Sequence, residues 1–430
     1  MTHLPFSEDF GGLVNRHPAR VVRVSTVVEI VRALELAKRD GMAVAIRGTG
    51  HSTRGQSLVE VGVMIDTSGL DHVDVDGEWV TVGAGARWDD VLRRTLDKGF
   101  TLPVLPDFLG ISVGGTLSVG GVGGQSFRHG LVTSTVASMT VVSAEGQVSA
   151  CSRERHPEIF DAVRAGLGLC GVIVEAKLRL VPAPERAAIV RLEYADVETL
   201  IADQLRIAAD GRFDYFLGSF AVVDGSFRLV IEAVKHLFPG ERGRVDALVA
   251  GLDALPDRTE VREEPYFAYA NRLANLPELD RARGRFHPWM DVFIPASRAA
   301  GFVGDLLGRI DPRELASGHL MTYVVARDRI DTPIVRWPDG EWLVLVDILP
   351  TFASVADAAA FSRRCAVILG RARALGGRVY PIGFPIGTEH MTADDWRDHF
   401  DWGRLSAVKR ASDPSAVLNP GVGAFNGRDP

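Results

Sequence analysis

Glycine sets the strongest constraint on this chain, with 45 residues and two dense clusters. The first runs Arg47-Gly48-Thr49-Gly50-His51-Ser52 and on to Gly55-Gln56. The second spans residues 110–130 and holds Gly114, Gly115, Gly120, Gly121, Gly123 and Gly124. Glycine in the middle of a helix or strand costs stability, whereas tight turns and close approach to a ligand favour it. Neither cluster is therefore expected to be a long regular element. The first follows directly on a buried-type strand at 42–46. The second reads as loop and broken helix lining a ligand.

Short strands and helices alternate around these clusters over the first 180 residues. Thr26 and Glu29 form a capping box ahead of Val27, Ile30, Val31 and Leu34 at helical spacing, and Gly41 closes that helix. Strands are expected at 21–24, 61–65, 72–75 and 79–82, with a helix at 89–96. A hairpin at 138–151 turns at Glu145-Gly146, and a last strand covers 172–180. Pro182-Ala183-Pro184 reads as a linker. Beyond it the texture changes. Strand-like stretches at 213–222 and 227–234 flank a turn at Asp224-Gly225, with further strands at 290–294 and 342–349. Helical stretches at 197–208, 245–255 and 355–375 alternate with them. Residues 399–425 read as punctuated coil with a short helix. The expectation is an α+β layer, a sheet with helices on one face.

The formal net charge is -7 and no basic block occurs, which disfavours nucleic-acid binding. No run of about 18 apolar residues is present, so no membrane span is expected. Residues 1–16 carry no apolar leader core, and Cys151, Cys170 and Cys365 match no metal spacing. A sparse, odd cysteine count suits a reducing compartment, so the expectation is a cytoplasmic protein with inert thiols and no metal. Gly48-x-Gly50 is not the Gly-x-Gly-x-x-Gly fingerprint, which disfavours a nicotinamide dinucleotide. Backbone N–H groups of such a loop still suit phosphates. On spacing alone, His51 is a surface histidine or a ligand contact.

Asp107 stands between Pro106 and Phe108 in a mostly apolar stretch. It is either a surface loop residue or a desolvated base. Arg128-His129 suit a catalytic site or a turn, and Tyr215, Trp289 and Tyr380 suit a cavity wall or the core. Glu263-Glu264 reads as a solvated face, and His390 and His399 as structural or surface residues.

The segment Arg47 to Gln56 resembles the flavin-attachment loop of cytokinin dehydrogenases, which are FAD proteins of the vanillyl-alcohol-oxidase (PCMH) type. Gly83-Ala84-Gly85-Ala86-x-Trp88 resembles the family's next strand and helix. Pro106-Asp107-Phe108-Leu109-x-x-Ser112-Val113-Gly114-Gly115-Thr116-Leu117-Ser118 resembles its aspartate segment, and Gly121-Val122-Gly123-Gly124-Gln125-Ser126-Phe127-Arg128-His129-Gly130 continues it. Residues 168–172 resemble the strand at the adenine end. His287-Pro288-Trp289-Met290, Asp413-Pro414 and Asn419-Pro420-Gly421 resemble later motifs, so the likeness covers nearly the whole chain.

This resemblance implies a two-lobed PCMH-type FAD-binding domain at 1–184. It implies an α+β substrate domain at 185–395, an antiparallel sheet covered by helices. A segment at 396–430 returns to the first domain. His51 would carry FAD covalently through the 8α-methyl. Arg47, Gly48, Thr49, Gly50, Ser52, Gln56, Ser112, Gly115, Ser118, Val122, Val172 and Ile173 would bind it. No cysteine lies between Gly110 and Gly130, so a single covalent bond is expected. Asp107 would take the substrate amine's proton, with Leu217 and Trp289 also at the substrate. Two residues depart from the pattern. Leu217 stands where plant members commonly carry a purine-holding glutamate, and Val422 where a glutamine is frequent. The expected partners are a small amine or alcohol and an electron acceptor, oxygen or quinone. An alcohol, sugar or secondary-metabolite oxidase on the same scaffold is the alternative, and a non-redox flavin-binding protein a third reading.

Overall fold

The computed structural model describes residues 6–241, 245–274, 284–315, 317–382 and 393–425. Its first half holds two main sheets and a two-stranded pair. Strands Arg20–Arg23, Val63–Asp66 and Val44–Arg47 form a parallel sheet with Val63–Asp66 in the centre. The helix Val27–Arg39 that precedes Val44–Arg47 begins with the Thr26/Glu29 capping box and buries Ile30, Ala33, Leu34 and Ala37. A five-stranded antiparallel sheet runs in the order Val73–Asp76, Trp79–Gly83, Val172–Arg179, Val136–Val142, Val148–Ser152. The second glycine cluster forms two short helices, Val113–Val119 against strands Trp79–Gly83 and Val172–Arg179 and Ser126–His129 against strand His319–Ala326, broken at Gly120 and Gly121, which both have positive φ.

The second half is built on an eight-stranded antiparallel sheet. Its order is Glu260–Pro265, Arg186–Tyr194, Ser226–Leu237, Tyr215–Val223, His319–Ala326, Trp342–Leu349, Met290–Pro295, Arg378–Tyr380. Alternation along these strands separates two faces. Val292, Ile294, Val344, Val346 and Ile348 join one core with Ala299, Phe302 and Leu306 of helix Ala296–Leu307 and Phe361 of helix Val355–Ala374. The other face carries Tyr215, Leu217, Tyr323, Phe293, Leu343, Leu345 and Tyr380, packed with Leu131 from the second glycine cluster. One side of the sheet is thus covered by helices, and the other looks towards the first half of the chain.

The expected helix at 245–255 ends at Val249, because Gly251 takes positive φ. Strands Arg186–Tyr194, Glu260–Pro265, His319–Ala326 and Arg378–Tyr380 and helix Ala296–Leu307 lie outside the elements read from the sequence. Pro182 is tied down, since Val181–Pro182 pairs with Phe100–Thr101. The tail holds a helix, Trp402–Ser412, and then runs back to the parallel sheet. There Val44 N–H donates to Val417 O at 2.8 Å and Asn419 N–H to Val44 O at 2.7 Å. Asn419 Oδ1 accepts from Ile46 N–H, and its Nδ2 donates to Leu167 O and Gly168 O. Buried Lys409 bonds Leu169 O at 2.8 Å and Asp413 at 2.6 Å.

No described helix is long and apolar enough to cross a membrane. The described residues hold no metal-binding cluster of His, Cys, Asp and Glu. The three cysteines are free and buried, and burial pushes the thiols of Cys170 and Cys365 up to about 12 and Cys151 to about 11.

Candidate functional site

A cleft of about 250 Å³ runs between the two glycine clusters. From the first cluster it is lined by Gly48, Thr49, Gly50, His51, Ser52 and Gln56. From the second and the segment before it, it is lined by Phe108, Ser112, Gly115 and Ser118, and Ile173, Trp289 and Asn419 are among its other walls. Most of the wall is apolar, with a few polar groups set along it, as suits a bound cofactor. At Gly115 an added Cβ would touch only Ser112 Oγ, at 3.0 Å, and otherwise project into the cleft. That backbone is held open for a ligand. The apolar walls, the polar groups set along them and the bare backbone fit FAD.

Five of the residues singled out from the sequence stand elsewhere. Arg47 points its guanidinium behind the loop, where Nη1 donates to Glu8 O at 2.7 Å. Val122 packs against the tyrosine-bearing sheet face, and Val172 is buried in the core. Leu217 lies on that same sheet face, in register with Glu232 of the neighbouring strand. Asp107 stands beside the cleft rather than among the residues that line it.

His51 presents one edge to the cleft while aromatic rings close around it. Phe10 stacks on it at 4.0 Å between centroids, and Phe108 approaches at 4.9 Å. Burial pulls the imidazole down to about 4, so it is neutral at physiological pH. Its neighbour Asp9 is pushed up to about 6 by burial, against hydrogen bonds from Gly55 N–H, the Ser52 hydroxyl and Gly12 N–H.

Asp107 sits in a cage of tyrosines. Tyr215 Oη donates to both carboxylate oxygens, at 2.8 and 2.9 Å, and Tyr323 Oη donates to Oδ2 at 2.5 Å. Arg272 Nη2 lies 3.6 Å from Oδ2 and donates to Tyr215 Oη at 2.7 Å. Behind it, Glu232 Oε1 accepts from Tyr269 Oη at 2.9 Å and lies 3.6 Å from Arg272 Nε. Arg272 also stacks over the Tyr269 ring at 4.3 Å. Burial is the largest cause that lifts Tyr215, Tyr269 and Tyr323 well above the ordinary phenol range, so all three stay protonated and donate. Tyr215 reaches Asp107 because Gly124 lies under its ring: a Cβ there would stand 2.4 Å from Tyr215 Cε2.

Two further carboxyls occupy the same sheet face. Asp291 and Asp347 are paired in register on adjacent strands. Burial and the Asp291 charge push Asp347 well up, so the pair does not carry two full charges. Tyr323, Arg272, Glu232, Asp291 and Asp347 carry no motif signature, and strand assignment would have been needed to bring them together. Tyr380 Oη accepts from Gly121 N–H at 2.9 Å, and Arg128 clamps Asp214, Gly211 O and Phe213 O. Arg128 therefore serves the fold. His399 is buried and structural, Glu263 lies exposed, and His390 falls outside the described residues.

Residues 18–152 match the family described as FAD binding domain, and residues 230–425 that described as "Cytokinin dehydrogenase 1, FAD and cytokinin binding". An uncharacterized oxidoreductase of the fasciation locus of Rhodococcoides fascians is 34% identical over 421 residues, covering 96% of this chain and 95% of that protein. Cytokinin dehydrogenase 10 of Oryza sativa subsp. japonica is 32% identical, covering 97% and 86%. Cytokinin dehydrogenase 2 of Arabidopsis thaliana is 31% identical, covering 97% and 91%. Among solved structures, 6-hydroxy-D-nicotine oxidase of Arthrobacter nicotinovorans matches with a TM-score of 0.74 at 21% identity, covering 96% of this chain and 93% of that one, a likeness of fold.

Proposed function

The chain belongs to the cytokinin dehydrogenase family and is an FAD-dependent oxidoreductase, and from that premise we propose that it oxidises a C–N bond of a small amine, with FAD joined to His51 and Asp107 as proton acceptor. One observation carries this reading. Phe108, the neighbour of Asp107, lines the cleft and packs on the His51 ring at 4.9 Å, so the segment that bears Asp107 lies at the His51 end.

The residues lining the cleft, with His51 at one end and Asn419 along the wall, would hold the cofactor. When bound, FAD supplies the two-electron acceptor for the hydride that leaves the substrate carbon. Asp107 accepts the N–H proton at a carboxylate oxygen, which turns C–H and N–H into a C=N bond that water then cleaves. Tyr215 and Tyr323 fix the carboxylate plane, and Arg272 balances its charge before the proton arrives. In this reading Leu217 and Trp289 border the substrate, and oxygen or a quinone takes up the electrons. We further propose that residues 1–184 with 396–430 bind the cofactor and 185–395 the substrate. The bonds from Asn419 to Ile46 and Gly168 support that grouping.

The test is denaturation and acid precipitation of protein from flavin-replete expression, with intact mass. A flavin-fluorescent pellet and the mass of one added FAD are expected, both lost in His51→Ala. A colourless pellet and unmodified mass in the wild type would overturn the covalent reading.

A further inference from the structure

Residues 8–12 run as a strap along the first glycine cluster. Phe10 N–H donates to Gly50 O at 2.9 Å and Gly11 N–H to Ser52 O at 3.2 Å, while His287 N–H donates to Gly11 O at 3.0 Å. The strap thus bridges the loop that bears His51 to the His287-Pro288-Trp289 segment. Its contact with the loop is close: a Cβ on Gly11 would stand 1.9 Å from Thr53 O. Asp9 Oδ2 binds the far side of the loop, accepting from Gly55 N–H at 2.6 Å and Ser52 Oγ at 3.0 Å. Phe10 is 2% exposed, and its ring lies between two imidazoles. His51 stacks on one face at 4.0 Å and 17°, His287 on the other at 4.0 Å and 8°, with the Trp289 ring edge-on at 4.8 Å.

We infer that this strap is the positioning element for covalent flavin attachment, with Phe10 setting the plane of the His51 imidazole and keeping water from it. The inference rests on the covalent reading of His51. A free imidazole turns about two side-chain torsions. Stacked on Phe10 and flanked by Phe108, the ring is restricted to one plane, which gives a nucleophile its orientational advantage. Attachment also needs a nitrogen lone pair, which the imidazolium lacks. The reaction exchanges a methyl C–H bond of the cofactor and an imidazole N–H bond for one N–C bond. Two protons leave to solvent, and two electrons pass to the oxygen or quinone that serves as acceptor.

The enclosure has a pH signature. The wild-type imidazole is held near 4 by burial, so it is neutral throughout pH 5.5–8. Once hydrated, it would titrate near 6.5, leaving roughly a tenth neutral at pH 5.5. The charged and titratable groups around it are Glu8 and Asp9 on the strap, Arg47 and Arg54 on its own segment, His287 across Phe10, and Asp107 next to the packed Phe108. Burial pushes Asp9, next to Phe10, up to about 6, so the profiles are compared in an Asp9→Asn background, where their difference reports His51.

The experiment uses full-length protein from flavin-limited expression, chased with added FAD from pH 5.5 to 8. Covalent flavin is read by acid precipitation and intact mass. Phe10→Ala is expected to hold FAD that dissociates on denaturation and to attach it at least tenfold more slowly. Its rate should rise about tenfold more steeply with pH than that of the wild type, and Phe10→Tyr should restore wild-type behaviour. Should Phe10→Ala fail to fold, Phe10→Leu, which keeps apolar volume without a flat ring, carries the test. Attachment as fast as wild type with the same pH profile in these variants overturns the role of the strap and leaves His51 as the attachment residue. A wild type without covalent flavin overturns the His51 reading itself.

Discussion

Tyr323 Oη lies 2.5 Å from Asp107 Oδ2, although 216 residues separate the two in sequence. The carboxylate comes from a loop beside the cleft and the phenol from the middle of the large sheet. Closing the two halves of the chain therefore fixes the group proposed to take the proton. A hydrogen bond to a charged group contributes about 1.5–3 kcal/mol. Tyr323→Phe should accordingly slow flavin reduction by about ten- to a hundredfold, since each 1.4 kcal/mol is about tenfold, without lowering flavin content. Stopped-flow reduction by the best amine found, beside the absorbance ratio of flavin to protein, checks this. An unchanged rate would remove Tyr323 from the mechanism.

Asp107→Asn keeps the shape and one acceptor oxygen but loses the basic carboxylate. The reductive half-reaction should fall by roughly 10²–10⁴, the range of a positioned acid–base group. Flavin binding should persist, because Asp107 is not among the cleft-lining residues. If reduction is as fast as in wild type, another group accepts the proton.

Leu217 is 5% exposed and lies in register with Glu232, so the polar anchor on this sheet sits one strand over. A purine donor facing Leu217 would be left unpaired, at about 1–3 kcal/mol. Isopentenyladenine should therefore turn over one to two decades less efficiently than a more apolar amine, at about 1.4 kcal/mol per decade. Leu217→Glu should narrow that gap. Specificity constants for both substrates in both proteins decide it, and wild-type preference for isopentenyladenine would show that the leucine does not matter.

His399 is 2% exposed, and burial, with Arg378 and Arg373 nearby, pulls it down to about 3. In the unfolded chain it titrates near 6.5. The stability it contributes is thus complete above pH 6.5 and lost as pH falls towards 3, by about 2 kcal/mol at pH 5. His399→Gln does not titrate. The melting-temperature advantage of wild type over this variant should shrink between pH 7.5 and 5. A constant difference across that range would contradict a depressed His399.

The elements of the first half were legible because local chemistry wrote them. The Thr26/Glu29 box opens the helix Val27–Arg39, and Glu145-Gly146 turns the hairpin. Strands such as His319–Ala326 were not legible, because buried sequence like Leu-Met-Thr-Tyr-Val-Val has no period that separates strand from helix. The site divides in the same way. His51 and Ser112 lie in glycine-marked loops whose backbone needs show in the sequence. Arg272 and Tyr323 act only through partners brought by sheet register, which no local pattern encodes. Asp107 was visible as an isolated carboxylate, but its phenol cage was not.

The tail that returns to the parallel sheet has a consequence for biogenesis. Asn419 lines the cofactor cleft and bonds Ile46, which leaves the ribosome 373 residues earlier. During synthesis the nascent first half lacks that wall and carries the edges of Val44–Arg47 and of the 167–169 loop uncovered. Such long-range closure is slow and leaves the partly built chain prone to association. The wall that Asn419 gives the cleft is therefore complete only once the last residues of the described chain have been made.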